Sequence, residues 1–192
     1  WSTVDTAELD DPRYVANDGD RCRWCKTALM DALEPIAATR GATVVLGVNT
    51  DDLSDHRPGQ DAARERGAVF PMVVAGLDKA GVRAVAHHRG LTVWDRPAMP
   101  CLSSRLPYGT AVTVELLSRV DRAEAALRGL GFSDLRVRHH DETARVEVPA
   151  DQLTLAAGRA AEIVELLEAV GYRYVTLDLA GLRSGNLNAA LT

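Results

Sequence analysis

A proline-rich segment, RPAMPCLSSRLPYG at residues 96–109, constrains the fold of this chain more than any other stretch. Its three prolines and one glycine disfavour regular helix or strand, because proline fixes φ and lacks a backbone N–H. The hydrophobic patterns on its two sides also differ. The segment therefore predicts two structural units, residues 1–110 and 111–192.

The first unit is predicted to alternate helices with short apolar runs. Apolar residues recur at helical spacing over 21–40, and the run TVVLGV at 43–48 is typical of a buried parallel strand. Helices at about 59–67 and 78–89 follow, with an extended piece at 68–74 between them. This order is typical of the last part of an α/β domain built on a parallel sheet.

The second unit is predicted to have the order α-β-β-α-β. Strand-like alternation with period two marks the segments around a turn near Asp141. The predicted elements are a helix at 113–129, strands at 135–140 and 143–148, a helix at about 151–170 and a strand at 172–179. Such an order favours a small α+β domain with its helices on one face of the sheet.

Composition argues against two classes of protein. Apolar residues make up 46% and charged residues 26% of the chain, as in a globular protein with a core. No stretch approaches the roughly 20 apolar residues of a membrane-spanning helix, and no secretory signal pattern is found. The net charge of −5 opposes non-specific nucleic-acid binding, which needs a basic surface. We therefore expect a cytoplasmic protein whose partners include neither membrane nor nucleic acid.

The three cysteines are the first candidates for chemistry, since an odd number disfavours a disulfide framework. Cys101 lies in the proline-rich segment with Arg105 four residues on, and a nearby guanidinium stabilises the reactive thiolate. It is alternatively a buried loop cysteine that acts as a small hydrophobe. Cys22 and Cys25 are spaced so that they share one face of a helix start. Three interpretations stay open for them: a redox pair, two metal ligands, or two unconnected cysteines.

Charged residues at two further places have two interpretations each. Arg136 and Arg138 project from one face of a strand, a geometry suited to phosphate or carboxylate, with Arg145 on the partner strand. The alternative is a solvated sheet face with cross-strand pairing to Glu147.

Three aspartates follow the apolar run at 43–48. Asp51, Asp52 and Asp55 lie where open α/β sheets bind ligands, and they suit a magnesium ion or a ribose. They are alternatively turn formers and helix caps.

Taken together and in this order, the motifs resemble the LarE family, ATP-dependent sulfur transferases of the PP-loop superfamily. The resemblance spans nearly the whole chain. Its matching stretches are DRCRWCK (20–26), GVNTDDLSDHRPG (47–59), RPAMPCLSSRLPYGT (96–110), LRVRHH (135–140) and LDLAGLRSGNLN (177–188). It implies an α/β fold: the C-terminal part of a Rossmann-like, adenine nucleotide alpha hydrolase-like PP-loop domain, followed by a small α+β domain.

The resemblance implies an enzyme of nickel-pincer nucleotide synthesis, which makes the cofactor of lactate racemase. ATP with Mg2+ would adenylate a carboxylate of a pyridinium dicarboxylate mononucleotide, and Cys101 would attack the adenylate and give up its sulfur. In other family members three cysteines, matching Cys22, Cys25 and Cys101, hold a 4Fe-4S cluster that delivers sulfide instead. The family also forms homo-oligomers.

The resemblance further assigns site residues. It makes Cys101 and Glu124 catalytic. It places the following residues around the substrate and its phosphates: Trp24, Ser104, Arg105, Arg136 and Arg138. Asp178, Arg183 and Ser184 lie in family-like motifs without an individual role.

Two departures from the family pattern affect the expected activity. The phosphate loop SGG-x-DS, which cradles ATP pyrophosphate, does not occur in these 192 residues, so we expect ATP chemistry to need sequence upstream of them. Position 48 is Val where the family carries a small hydroxyl residue, which affects nucleotide contact there. The alternatives are a tRNA thiolase of the same superfamily, which the −5 charge opposes, and a non-catalytic partner subunit.

Overall fold

A computed structural model of the protein describes residues 2–54, 57–96 and 99–183. The chain divides into two compact units, Trp1–Ala98 and Met99–Thr192, each described by itself below. The division precedes Cys101, whereas the sequence placed it near residue 110. Arg105 explains the difference, because its side chain pairs with Glu124 of the second unit. None of the helices in the described ranges is long and apolar enough to cross a bilayer.

The first unit is helical over most of its described length. Its helices are α1 (Pro12–Val15), α2 (Arg21–Arg40), α3 (Pro58–Glu65), α4 (Pro71–Val74) and α5 (Lys79–His88), with 3-10 turns at Glu8–Asp10 and Thr50–Ser54. The predicted helix at 21–40 is confirmed, and Gly41 ends it in the left-handed region with φ of 57°. The predicted helices at 59–67 and 78–89 are confirmed with ends shifted by one or two residues.

Among the described residues, the predicted strand at 43–48 forms a single bridge and no longer ladder. Val45 pairs in parallel with Val69, and Leu46 donates its N–H to the Val69 carbonyl at 3.0 Å. The predicted extended piece at 68–74 is wrong beyond this bridge, because Pro71 starts α4. Proline favours the first helical position, where its missing N–H costs nothing. A small core lies behind the bridge, formed by Met30, Ala63, Ala68 and Phe70.

The second unit has the predicted order of helices and strands. Its elements are a 3-10 turn at Leu102–Arg105, α6 (Val114–Gly129), β1 (Arg136–His140), β2 (Thr143–Glu147), a 3-10 turn at Ala150–Gln152, α7 (Leu153–Gly158), α8 (Ala160–Val170) and β3 (Tyr174–Leu177). β1 and β2 form the predicted hairpin, and Asp141 turns it with φ of 51°. β3 lies parallel to β2, so the sheet order is β1-β2-β3.

The helix predicted at 151–170 is divided into α7 and α8. Gly158 ends α7, and Arg159 leaves the helical region with φ of −107° and ψ of 21°. The Arg159 guanidinium donates to the Leu130 carbonyl at 2.5 Å and pairs with Glu162. This anchoring of Arg159 explains why an apolar pattern typical of one helix forms two.

The two faces of the sheet differ in chemistry. Val137 and Val146 pair across the hairpin and face the main core, to which α6 contributes Leu127 and α8 contributes Leu167. Arg138 and Arg145 pair in the same register and lie on the opposite face, because side chains alternate along a strand. The sheet thus presents an apolar face to the helices and a charged face to the proline-rich segment.

One histidine lies among the apolar residues of the core face. His139 is 3% exposed, and its Nδ1 has no hydrogen-bond partner among the described residues. Its ring lies 5.8 Å from that of Tyr172, where burial raises the pKa of Tyr172 to about 12. Burial, helped by the Arg119 guanidinium, lowers the pKa of His139 below its ordinary value, so the fold holds a neutral imidazole.

We expect the protein to lose stability in acid because of His139. His139 takes up a proton near pH 6.5 in the unfolded chain, but only at a lower pH in the folded chain. The free energy of unfolding therefore falls as the pH drops below about 6.5. Urea unfolding between pH 8 and pH 5 measures this loss. The loss should shrink in His139→Phe and persist in His88→Gln, a change at the exposed end of α5. An unchanged acid loss in His139→Phe would contradict the assignment.

Candidate active site

The backbone around Cys101 is fixed by hydrogen bonds, while the cysteine itself is exposed. The Cys101 carbonyl accepts bonds from the Ser104 N–H at 3.0 Å and the Ser104 hydroxyl at 2.8 Å. It also accepts from Arg105 Nη1 at 3.2 Å. The thiol is therefore presented from a well-defined turn, which is the arrangement a reacting sulfur atom needs.

Arg105 ties this loop to helix α6. Its Nε donates to Glu124 Oε1 at 2.7 Å and its Nη2 to Glu124 Oε2 at 3.1 Å, a bidentate pair. Its Nη1 donates to the Pro100 carbonyl at 2.9 Å. Arg105 is 3% exposed and Glu124 is fully buried. In this arrangement the guanidinium bonds the main chain around Cys101.

Glu124 joins three parts of the second unit. Besides Arg105, its carboxylate accepts the backbone N–H of Val137 in β1 at 3.2 Å. It also accepts Arg128 Nη2 at 2.8 Å. Each carboxylate oxygen therefore has two donors, which offsets the cost of burying the charge. Glu124 is linked to the Cys101 loop by Arg105, which bonds both. The predicted catalytic role of Glu124 stays a prediction.

A second buried pair holds the loop from the sheet side. Arg138 donates from Nε to both oxygens of Glu147 at 3.1 Å, and from Nη1 to the Ser104 carbonyl at 2.7 Å. Arg145 also donates to Glu147 at 3.1 Å. The cross-strand pairing to Glu147, which one of the two interpretations predicted, is confirmed, but Arg138 and Glu147 are buried and not solvated. This burial could not be predicted from a local pattern, because the cover comes from a loop 34 residues away.

Arg136 completes a group of three guanidiniums beside the loop. Its Nη1 donates to the Leu135 carbonyl at 2.6 Å, and Asp134 lies 3.5 Å away. Burial, followed by the nearby charge of Arg105, lowers the pKa of Arg136. The charges of Arg105 and Arg138 therefore repel that of Arg136, and Glu124 and Asp134 offset part of this repulsion.

The candidate residues of the first unit lie at the start of α2. Cys22 is exposed and Cys25 half-buried, one helical turn apart. The Arg13 guanidinium lies 3.8 Å above the Trp24 ring, a cation–π contact, so packing of Trp24 is shown and its ligand contact stays a prediction. Gly59 allows α3 to approach this turn, since a Cβ there would lie 2.6 Å from the Cys22 carbonyl oxygen.

A metal site is not formed within either unit by the described residues. Among residues 2–54, 57–96 and 99–183, neither unit brings three His, Cys, Asp or Glu side chains together in a way that could hold an ion. The predicted ligand set of Cys22, Cys25 and Cys101 draws on both units and stays a prediction.

Two aspartates of the 49–54 turn serve as caps, as one of the two interpretations predicted. Asp51 accepts the backbone N–H of Lys79 at 3.0 Å, and Asp52 accepts that of Asn49 at 3.1 Å. Asp55 and Ser184 lie outside the described residues. The binding of magnesium or ribose by these aspartates stays a prediction.

Comparison with known proteins identifies the family. An uncharacterised protein of Synechocystis is 46% identical over 192 residues, 98% of this chain and 72% of that protein. The pyridinium-3,5-bisthiocarboxylic acid mononucleotide synthase of Lactiplantibacillus plantarum is 40% identical over 185 residues, 96% of this chain and 67% of the synthase. No protein-family profile matches the chain. By its likeness to the synthase, the chain belongs to the LarE family, as its motifs predicted.

A more distant relative extends the comparison to the archaea. An uncharacterised protein of Methanocaldococcus jannaschii is 25% identical over 173 residues, which cover 90% of this chain and 68% of that protein.

Proposed function

We propose that this protein is a sulfur-transferring enzyme that inserts sulfur into a carboxylate of a pyridinium mononucleotide, with Cys101 as the sulfur centre. One observation carries the proposal: an exposed cysteine sits on a turn fixed by two buried Arg–Glu pairs and flanked by guanidiniums. The likeness to the synthase of L. plantarum, whose name describes a bisthiocarboxylic acid mononucleotide, supports the substrate class.

The proposed chemistry has three balanced steps. The substrate carboxylate attacks ATP, which forms an acyl adenylate and releases pyrophosphate. The Cys101 thiolate attacks the acyl carbon, and AMP leaves with the electron pair of the broken C–O bond. A base then takes the Cα proton of Cys101 while the Cβ–S pair moves to sulfur, leaving a thiocarboxylate on the substrate and dehydroalanine in the protein.

The guanidiniums beside the loop suit the anionic groups of this reaction. Arg136 and Arg138 lie on the face of β1 that the Cys101 loop covers, and Arg138 bonds the loop directly. Guanidiniums bind phosphate and carboxylate through parallel N–H bonds. We assign Arg136 and Arg138 to substrate and phosphate, Arg105 to positioning of the loop, and Ser104 to both the loop and the site.

The first unit supplies the nucleotide-binding part of the proposal. Val45 and Val69 form a parallel bridge, yet they are 60% and 44% exposed. Apolar residues of a parallel sheet are normally covered on both faces, so this bridge suits one part of a larger Rossmann-like PP-loop sheet. We propose that ATP with Mg2+ binds to the first unit as co-substrate. We also propose that the product is a precursor of the nickel-pincer nucleotide of lactate racemase.

An iron–sulfur route is the alternative form of the same proposal. Cys22 and Cys25 provide thiolates one turn apart, the donor type that iron–sulfur clusters use, and Cys101 would complete the set. A 4Fe-4S cluster with three thiolate ligands would supply an open iron that carries sulfide. In that route Cys101 would act as a ligand and would keep its own sulfur.

Intact mass after a single turnover tests the proposal. Because ATP chemistry is expected to need upstream sequence, the chain is extended by an upstream segment that carries the phosphate loop. The extended protein is mixed with ATP and the dicarboxylate mononucleotide, the thiocarboxylate is quantified, and the mass of the protein is measured. Loss of one H2S per product molecule is the expected result for the sacrificial step. Product formation with unchanged protein mass and no iron would overturn Cys101 as the sulfur source.

A further inference from the structure

Asp178 follows the last residue of β3, where the chain turns along the end of β2. Its N–H donates to the Val146 carbonyl at 2.9 Å, and its carbonyl accepts the Gly181 N–H at 3.0 Å. Gly181 has φ of 73°, a conformation that favours glycine, and a Cβ there would lie 3.1 Å from the Val148 carbonyl oxygen. The turn is therefore held closely against the sheet, and the Asp178 carboxylate has a defined place.

The two oxygens of the Asp178 carboxylate have different partners. Oδ1 accepts the Ala180 N–H at 2.8 Å, which closes the turn. Oδ2 lies 3.7 Å from Arg145 Nε, and the Asp178 side chain is 14% exposed. Arg145 Nε is buried and has no hydrogen-bond acceptor among the described residues. Asp178 therefore acts on Arg145 through its charge rather than through a hydrogen bond.

The Arg145 guanidinium lies between two carboxylates. Its Nη2 donates to Glu147 Oε1 at 3.1 Å, while Asp178 faces its Nε. Glu147 is fully buried, and Arg138 of β1 binds the same carboxylate. Arg138 and Arg145 lie directly opposite each other in the hairpin register. Like charges in this position repel, so the pair of guanidiniums needs both carboxylates for balance.

Arg138 connects this group of charges to the cysteine turn. Its Nη1 donates to the Ser104 carbonyl at 2.7 Å, and the Ser104 N–H donates to the Cys101 carbonyl at 3.0 Å. Because one guanidinium binds both Glu147 and Ser104, a shift of Arg138 on Glu147 also changes its bond to the turn. Without the charge of Asp178, Arg145 would be attracted to Glu147 alone and would compete there with Arg138.

We infer that Asp178 is a positioning residue for the cysteine turn. Its charge balances Arg145, and Glu147 then holds Arg138 in place against Ser104. Asp178 touches neither Cys101 nor the substrate in this account and acts through Arg145. The value of this positioning for sulfur transfer rests on the function proposed above, whereas the effect on the turn itself does not.

Amide hydrogen exchange tests the inference without any turnover, since exchange of the Ser104 N–H reports on closure of the turn. Asp178→Asn keeps an Oδ1 acceptor for the Ala180 N–H and removes the charge that faces Arg145. We expect Ser104 to exchange about tenfold faster, because a charged hydrogen bond to its carbonyl is weakened. The amide of Leu167, a buried residue of α8, should exchange at its wild-type rate.

A double variant separates positioning from a purely structural role. Adding Arg145→Met to Asp178→Asn leaves one guanidinium and one carboxylate, so the Ser104 exchange rate should return towards that of the wild type. If Asp178 only stabilised its own turn, a change at Arg145 would not restore Ser104. Failure of this recovery would overturn the inference.

Glu142→Gln is the matched control, because it removes a carboxylate that lies at a similar distance, 3.6 Å, from Arg173. It should leave the Ser104 exchange rate unchanged. An acceleration as large as that of Asp178→Asn would mean that any lost carboxylate loosens the turn, which also overturns the inference.

Two further measurements keep the test decisive. Should Leu167 exchange faster in Asp178→Asn, Asp178→Ser takes its place, since a hydroxyl also accepts the Ala180 N–H. In the protein extended upstream, the rate of thiocarboxylate formation should fall in Asp178→Asn and recover in the double variant. A wild-type protein that formed no thiocarboxylate would overturn the proposed function, and the exchange rates would still decide the role of Asp178.

Discussion

Replacing Cys101 with serine should abolish sulfur transfer and leave the stability of the protein unchanged. A serine hydroxyl has no sulfur to give and does not ionise near neutral pH, so both the attack and the cleavage steps are lost. The fold should survive, because Cys101 is exposed and holds the loop through its carbonyl oxygen. Exposed substitutions of this kind stay within about 0.5 kcal/mol. Thiocarboxylate yield and urea unfolding measure the two halves of this prediction.

Cys22→Ser and Cys25→Ser are the matched controls for the Cys101 experiment. In the sacrificial route both keep full single-turnover yield, whereas in the cluster route all three serine variants lose iron and activity together. A Cys101→Ser protein that still formed thiocarboxylate at the wild-type yield would refute both routes.

Replacing Glu124 with alanine should cost the protein about 3–5 kcal/mol of unfolding free energy, the largest loss that we expect from one substitution. The change leaves Arg105 buried with its bidentate partner removed, and it also removes the acceptor of the Val137 N–H. Because Arg105 bonds the carbonyls of Pro100 and Cys101, the loop should loosen as well. Urea unfolding measures the first effect, and the alkylation rate of Cys101 the second.

Glu115→Ala provides a control on the same helix. Glu115 is 82% exposed and lies 3.7 Å from Arg119, so its loss should shift the unfolding midpoint little. A double variant, Arg105→Met with Glu124→Leu, should recover part of the stability, since removing both charges leaves neither one buried alone. Equal losses from Glu124→Ala and Glu115→Ala would show that the buried pair does not stabilise the loop.

The helices were largely predictable because their signals are local. Apolar spacing and a following glycine define α2, and helical apolar spacing also defines α6. The hairpin of β1 and β2 follows from a different local signal, alternation with period two on both sides of a turn. The run at 43–48 shows the limit of such signals. A strand needs neighbours to bond with, and the described residues supply a bridge at Val69.

The residues of the candidate site could be named from the sequence, whereas the hydrogen bonds among them could not. Motifs singled out Cys101, Arg105, Arg136 and Arg138, and the structure brings all four to one side of the second unit's sheet. The bond from Arg105 to Glu124 joins residues 19 positions apart in sequence, across the end of one element and the middle of another. Pairing of this kind follows from tertiary packing, which no local pattern encodes.

If the proposed sacrificial route holds, the anchoring of the cysteine turn determines how well folded a protein molecule stays after it loses the Cys101 sulfur. Its anchors are main-chain oxygens of Pro100 and Cys101, and these atoms survive when the side chain becomes dehydroalanine. A used molecule would therefore stay as well folded as a fresh one. Quality-control systems that sense unfolding would therefore not distinguish a used molecule from an active one. Used molecules would accumulate unless the loss of the thiol itself were recognised.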